Sequence, residues 1–149
     1  MPGTFGAKFH QDLRVDLIDR VIDKGTDPKI DSYSGFFDNK KERSTGLSEL
    51  LAKLLAQRAN PGESIEVDVV GLALDYCVKS TALDAKSLGY ETRVVLDATR
   101  AVNVTPGDDV KAMRELVTAG VALITSRDIL PEHGRDLAQS RPIDLGIRL

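Results

Sequence analysis

Two residues in this chain have the chemistry for covalent work on an electrophile. Cys77 is the only cysteine among 149 residues. It sits in Val67-Asp68-Val69-Val70-Gly71-Leu72-Ala73-Leu74-Asp75-Tyr76-Cys77-Val78-Lys79. The apolar run, alternating and then continuous, predicts a strand buried on both faces of a parallel sheet. Asp75 is a good helix N-cap just before an amphipathic segment, which puts Cys77 in the first turn of a helix. Unpaired N–H groups and the helix dipole there favour an anionic sulfur and can also stabilise an oxyanion forming beside it. Lys24 is the second such residue. Taken alone, a lysine is usually solvated; beside a thiol, its ammonium stabilises the thiolate. A lone cysteine is also commonly a small buried hydrophobe, so residue type does not decide its role.

The elements that must position this pair are legible from periodicity. Leu13–Ile22 reads as a short helix or turn leading into a strand around Arg20–Asp23, broken at Lys24-Gly25. Thr26–Asn39, with Asp27-Pro28, Tyr33-Ser34-Gly35 and Phe36-Phe37, is a turn-rich aromatic loop. Leu47, Leu50, Leu51, Leu54 and Leu55 form one helical stripe, capped by Ser44 or Thr45 and ended at Asn60-Pro61-Gly62. Val78, Ala82, Ala85 and Leu88 share the next helix face, stopped at Gly89. Thr92–Leu96 is a strand. Thr105 is the N-cap of a further helix, with Pro106 in its first position and Asp108 in its third. Val110, Met113, Leu116 and Val117 give that helix its buried stripe and Gly120 closes it. Val121–Thr125 is the last strand.

Strands alternating with helices predict an α/β fold with a mainly parallel, doubly wound sheet. Ligands bind such sheets at the carboxyl ends of strands, where both Lys24 and Cys77 fall. One domain over residues 1–130 is expected, followed by a poorly packed tail over 131–149. A hydrophobic content of 42% with 29% charged residues is ordinary for a globular chain. A net charge of −3 without a basic stripe argues against nucleic acid. No apolar run is long enough to span a membrane, and one unpaired cysteine fits a reducing, cytoplasmic setting. Asp23, Asp27 and Asp31 read as solvated acids, and His10 and His133 as isolated side chains rather than metal ligands.

Several ordered segments resemble nicotinamidases of the isochorismatase-like cysteine hydrolase superfamily. Gly71-Leu72-Ala73-Leu74-Asp75-Tyr76-Cys77-Val78-Lys79 is similar to their nucleophile segment. Lys24-Gly25-Thr26-Asp27-Pro28 and Asp31-Ser32-Tyr33-Ser34-Gly35-Phe36-Phe37-Asp38-Asn39 resemble a second signature. Met1–His10 resembles the Pro-Gly-Thr-x-Gly-Ala-x-Phe-His loop, and Val94–Pro106 a later strand and loop, so the likeness runs to about Asp128. It implies hydrolysis of nicotinamide to nicotinate and ammonia through a cysteine thioester. Cys77 would be the nucleophile and Lys24 its partner in a Cys–Lys–Asp triad. The amides of Ala73 and Cys77 would form the oxyanion hole, with a cis peptide between Leu72 and Ala73, and Tyr33 and Tyr76 would contact substrate.

The departures from the family pattern carry their own expectations. The triad aspartate and a divalent-metal cluster, zinc or similar, belong in the family to segments before the Pro-Gly-Thr loop. The chain begins inside that loop. The resemblance therefore implies a carboxyl-terminal portion with an apparently truncated fold and no metal of its own. Leu74 stands where the family usually has threonine. Two other readings remain: a catalytically dead isoform or scaffold, and a related cysteine amidase such as an N-carbamoylsarcosine or ureidoacrylate amidase. Assembly as a homo-oligomer is left open.

Overall fold

The computed structural model describes residues 8–58 and 64–129. The Asn60-Pro61-Gly62 helix stop, most of the Met1–His10 loop, His133 and the 131–149 tail lie outside the described residues. A single turn of 3-10 helix spans Val15–Leu17 and is followed by extended chain. Helix α1 (Leu47–Arg58), strand β1 (Glu66–Leu72), helix α2 (Lys79–Ser87), strand β2 (Glu91–Arg100), helix α3 (Asp108–Thr118), strand β3 (Ala122–Ile124) and helix α4 (Ser126–Ile129) complete the described order. A π-helical turn, Leu74–Val78, joins β1 to α2.

The three strands lie in the order β1-β2-β3, and both pairings are parallel. Each crossover carries a helix, as a parallel connection requires. This is the α/β class read from the sequence. Two apolar clusters hold it together. Val69 from β1, Leu74 and Val78 from the turn, Ala82, Val94, Leu116 and Val121 pack beneath the sheet. Phe36, Leu47, Leu51 and Ala85 form a second cluster, with Ile22, Val67 and Tyr90 against it. Full burial of Phe36 contributes on the order of 3 kcal/mol. Its ring stacks on Tyr90 at 6.1 Å.

Several boundaries differ from the sequence reading. The Arg20–Asp23 segment forms no strand, because no neighbour supplies a hydrogen-bonding ladder among the described residues. It keeps a strand-like alternation: Ile22 turns into the Phe36 cluster while Val21 is exposed. β1 is not buried on both faces. Val69 is buried, but Val70 and Leu72 on the opposite face are exposed, since no described element covers that face of β1. β2 runs well past Leu96 to Arg100.

The later helix starts two residues beyond the expected position. Thr105 and Asp108 exchange bonds in a preceding turn, and Gly107, at φ +94, occupies the N-cap position. That left-handed conformation cannot continue a helix from Pro106, and glycine adopts it without steric cost. Ala112 and Leu116 are the fully buried residues of α3, and Met113 packs partly against the core. Val110 and Val117 face solvent instead, as does Leu88 at the end of α2.

Candidate active site

Lys24 follows the extended Ile22 segment, and Gly25 at φ +64 then turns the chain into the Thr26–Asn39 loop. The loop folds back so that the Ser32 carbonyl accepts a bond from Lys24 Nζ at 2.6 Å. The same Nζ lies 3.4 Å from Cys77 Sγ, although 53 residues separate the two. Both side chains are partly buried. Fold geometry, not sequence proximity, brings amine and thiol together.

The loop is anchored on α2. Thr81 Oγ1 accepts from the Gly35 N–H at 2.9 Å, and Lys41 Nζ pairs with Asp84 at 2.8 Å. Thr45 donates its hydroxyl to the Gly35 carbonyl at 2.6 Å, and Ser34 Oγ accepts from the Phe36 N–H. Those bonds fix the Ser34-Gly35-Phe36 segment and, through Ser32, the position of the lysine amine. Asp27 is not a solvated acid. Its side chain is only 18% exposed, pairs with Arg43 at 3.2 Å and accepts from the Lys29 N–H. The sequence reading missed Arg43, which lies 16 residues downstream.

Cys77 lies within the π-helical turn that precedes α2. The Ala73 carbonyl accepts from the N–H groups of Tyr76 and Val78, and its bonds thus straddle Cys77. The Leu72–Ala73 peptide is cis. Thr99 donates its hydroxyl to the Gly71 carbonyl at 2.6 Å, beside the shift in register between β1 and β2. Leu74 is buried in the core cluster, so its side chain serves packing. Tyr33 and Tyr76 meet edge to face at 5.5 Å.

Asp75 does not cap the helix. Its side chain makes no cap bond; the carboxylate accepts from the N–H groups of Val102 and Asn103 at 3.0 and 2.8 Å. The acid therefore ties the cysteine turn to the loop after β2. Burial pushes its carboxyl up, but the two N–H donors, its own backbone and Lys79 together hold it below the usual carboxylate value. Asn103, at φ +53, extends the tie by accepting from the Asp109 N–H at the start of α3.

Thr81 was missed as a positioning group, and Asp75, read as a helix cap, holds Val102 and Asn103 instead. Thr81 had a readable signal: with Val78, Ala82 and Ala85 it falls at i, i+3, i+4 and i+7 on the buried face. A polar side chain inside an apolar stripe calls for a hydrogen-bond partner. A cavity of about 200 Å3 opens on the other residues around Lys24, including Asp23, Thr26, Asp27, Ser32 and Asp38. Cys77 does not line it. The amine–thiol contact, rather than that hollow, defines the candidate site.

Residues 1–128 match the isochorismatase domain family. The chain belongs to the isochorismatase family. Its relatives in that family include the nicotinamidase of Escherichia coli (strain K12), 42% identical over 123 residues, covering 83% of this chain and 54% of the relative. The chain thus spans about half the length of the curated relatives it matches. A solved nicotinamidase/pyrazinamidase of Acinetobacter baumanii superposes with a TM-score of 0.75 at 37% identity, over 86% of this chain and 57% of that one. The pyrazinamidase of Pyrococcus horikoshii, solved in complex with zinc, gives 0.64 at 32% identity, over 83% and 59%. A metal therefore occurs within the family. Among the described residues of this chain, no three His, Cys, Asp or Glu side chains converge to hold one. His10 is exposed, and its Nδ1 accepts from the Asp12 N–H. These residues do not fit a metal. No helix among the described residues is long and apolar enough to cross a membrane.

Proposed function

We propose that this chain carries the nucleophilic half of a nicotinamidase, hydrolysing nicotinamide to nicotinate and ammonia through a thioester on Cys77. The observation that carries the reading is the 3.4 Å contact between Lys24 Nζ and Cys77 Sγ at the carboxyl end of β1. Similarity to nicotinamidases supports the choice of a pyridine carboxamide as substrate.

The Cys77 proton passes to the Lys24 amine, leaving a thiolate paired with an ammonium. The thiolate attacks the carboxamide carbon, and the oxyanion forms against the N–H groups of Ala73 and Cys77. On collapse the C–N bond breaks, and the Lys24 ammonium gives its proton to the departing nitrogen, which leaves as ammonia. Water then attacks the nicotinoyl thioester and yields its proton to the now neutral Lys24. The C–S bond breaks, nicotinic acid departs, and the thiolate–ammonium pair is restored. Tyr33 and Tyr76 present ring edges and faces suited to an aromatic substrate. A single reduced cysteine supports a cytoplasmic setting.

The test is ammonia release from nicotinamide by the purified chain beside its Cys77→Ala variant. Release by the first and none by the second supports the reading. Equal release from both overturns it. No release from either removes turnover by this chain alone, and the exposed Val70 and Leu72 on one face of β1 then offer an apolar surface to a partner.

A further inference from the structure

We propose that Lys24 and Cys77 form a covalent modification site: on oxidation by hydrogen peroxide they join through a sulfur–nitrogen bond, a reversible sulfenamide crosslink. This inference does not depend on amide hydrolysis, because it uses only the placement of the two side chains.

Three observations carry it. Nζ already stands in contact with Sγ at 3.4 Å, so bonding requires closing a short gap rather than rearranging the loop. The amine is held there by its second bond, 2.6 Å to the Ser32 carbonyl. When neutral, it can keep that bond while its lone pair faces sulfur. Finally, the chain has one cysteine, so a sulfenic acid at Cys77 has no intrachain thiol with which to form a disulfide. The other nitrogen route for such an acid is a neighbouring backbone N–H. The next residue's N–H, that of Val78, is engaged with the Ala73 carbonyl at 3.0 Å. Lys24 is the nitrogen left in position.

The chemistry closes in two steps. The Cys77 thiolate attacks one oxygen of hydrogen peroxide, the O–O bond breaks, and after proton transfer the products are sulfenic acid and water. Sulfur is oxidised and peroxide is reduced. The neutral Lys24 amine then attacks that sulfur, the S–O bond breaks, and the hydroxyl leaves with an amine proton as a second water. Relative to the starting chain, the product has lost two hydrogens and gained no oxygen. Cys77 is only partly buried, and the first step requires peroxide to reach its sulfur. An excess of a small thiol attacks the sulfur, breaks the S–N bond and frees the amine; a second thiol restores Cys77. The crosslink would hold the sulfur on the low, reversible rungs of cysteine oxidation and prevent conversion to sulfinic acid.

Intact-mass and peptide measurements on the full chain test this after mild peroxide treatment near pH 8. The expected species has lost two hydrogens, maps to a crosslinked pair of peptides containing Lys24 and Cys77, and returns to the starting mass with dithiothreitol. A Lys24→Arg variant should lose that species and pass to sulfinic acid instead. Wild-type chain whose lysines have first been dimethylated provides a second arm without mutation, and it too should lose the crosslink. Oxygen addition alone in the wild type, at the rate seen in either control, would overturn the proposal. So would persistence of the species lacking two hydrogens in Lys24→Arg, or a bridge that retains an oxygen atom.

Discussion

Replacing Asp75 with alanine removes the acceptor for two backbone donors, Val102 and Asn103. An ordinary N-cap loss costs about 1 kcal/mol. Hydrogen bonds to a charged acceptor are worth about 1.5–3 kcal/mol each. Val102 and Asn103 are exposed enough for water to recover part of that. We therefore expect a loss of about 3 kcal/mol for Asp75→Ala and roughly half as much for Asp75→Asn, which keeps one acceptor. Urea unfolding at neutral pH reads this as a midpoint about 1–2 M lower with an unchanged slope. The sign of the pH dependence follows from the depressed carboxyl. Its contribution is complete above the unfolded value, about 4, and is lost as pH falls through the lower folded value. The gap between wild type and Asp75→Ala should thus narrow on acidification, and amide exchange at Val102 and Asn103 should speed up in the variant. A loss below about 1 kcal/mol, within the range of a simple cap, with unchanged exchange at those two amides, would refute the loop-clamp reasoning.

Thr81→Val keeps the shape of the side chain but leaves the buried Gly35 N–H without its acceptor. It should cost about 1–3 kcal/mol in urea unfolding and should shift the reactivity of Cys77, because the loop that holds Lys24 loosens. Phe36→Ala should cost about 3–5 kcal/mol, read from the thermal midpoint, since the ring is 1% exposed in the second cluster. Gly107→Ala should cost about 1 kcal/mol through backbone strain alone, because no atom lies within 4 Å of the added methyl group. Lys24→Met should slow iodoacetamide labelling of Cys77 several-fold near neutral pH, with the fold intact by circular dichroism, because the sulfur loses the amine that contacts it at 3.4 Å.

The parallel α/β alternation was legible because periodicity reports which face each segment buries. The α1 stripe from Leu47 and the stop at Gly89 follow from the order of apolar and turn residues. Features set by tertiary partners were harder to see. Sequence alone makes Asp75 a plausible cap, and only the return of the loop after β2 brings Val102 and Asn103 to its carboxylate. Val70 looks like core until its face of β1 is seen to lack a covering element among the described residues. Thr105-Pro106 has the composition of a helix start, yet Gly107 shifts the start by taking a left-handed conformation. At the candidate site, Lys24 and Cys77 were marked by residue type, strand-end position and resemblance to a known family. Their 3.4 Å contact depends on the Gly35–Thr81 and Lys41–Asp84 links that dock the loop on α2. Such long-range bonds leave little trace in local pattern.

The most direct measurement is the mass of the Cys77 peptide after the chain is incubated with nicotinamide and quenched in acid. A nicotinoyl group on Cys77 in the wild type, lost in Lys24→Met, is the predicted result. A Cys77 that stays unmodified while ammonia is released would contradict the account, since the amide would then be cleaved without the sulfur.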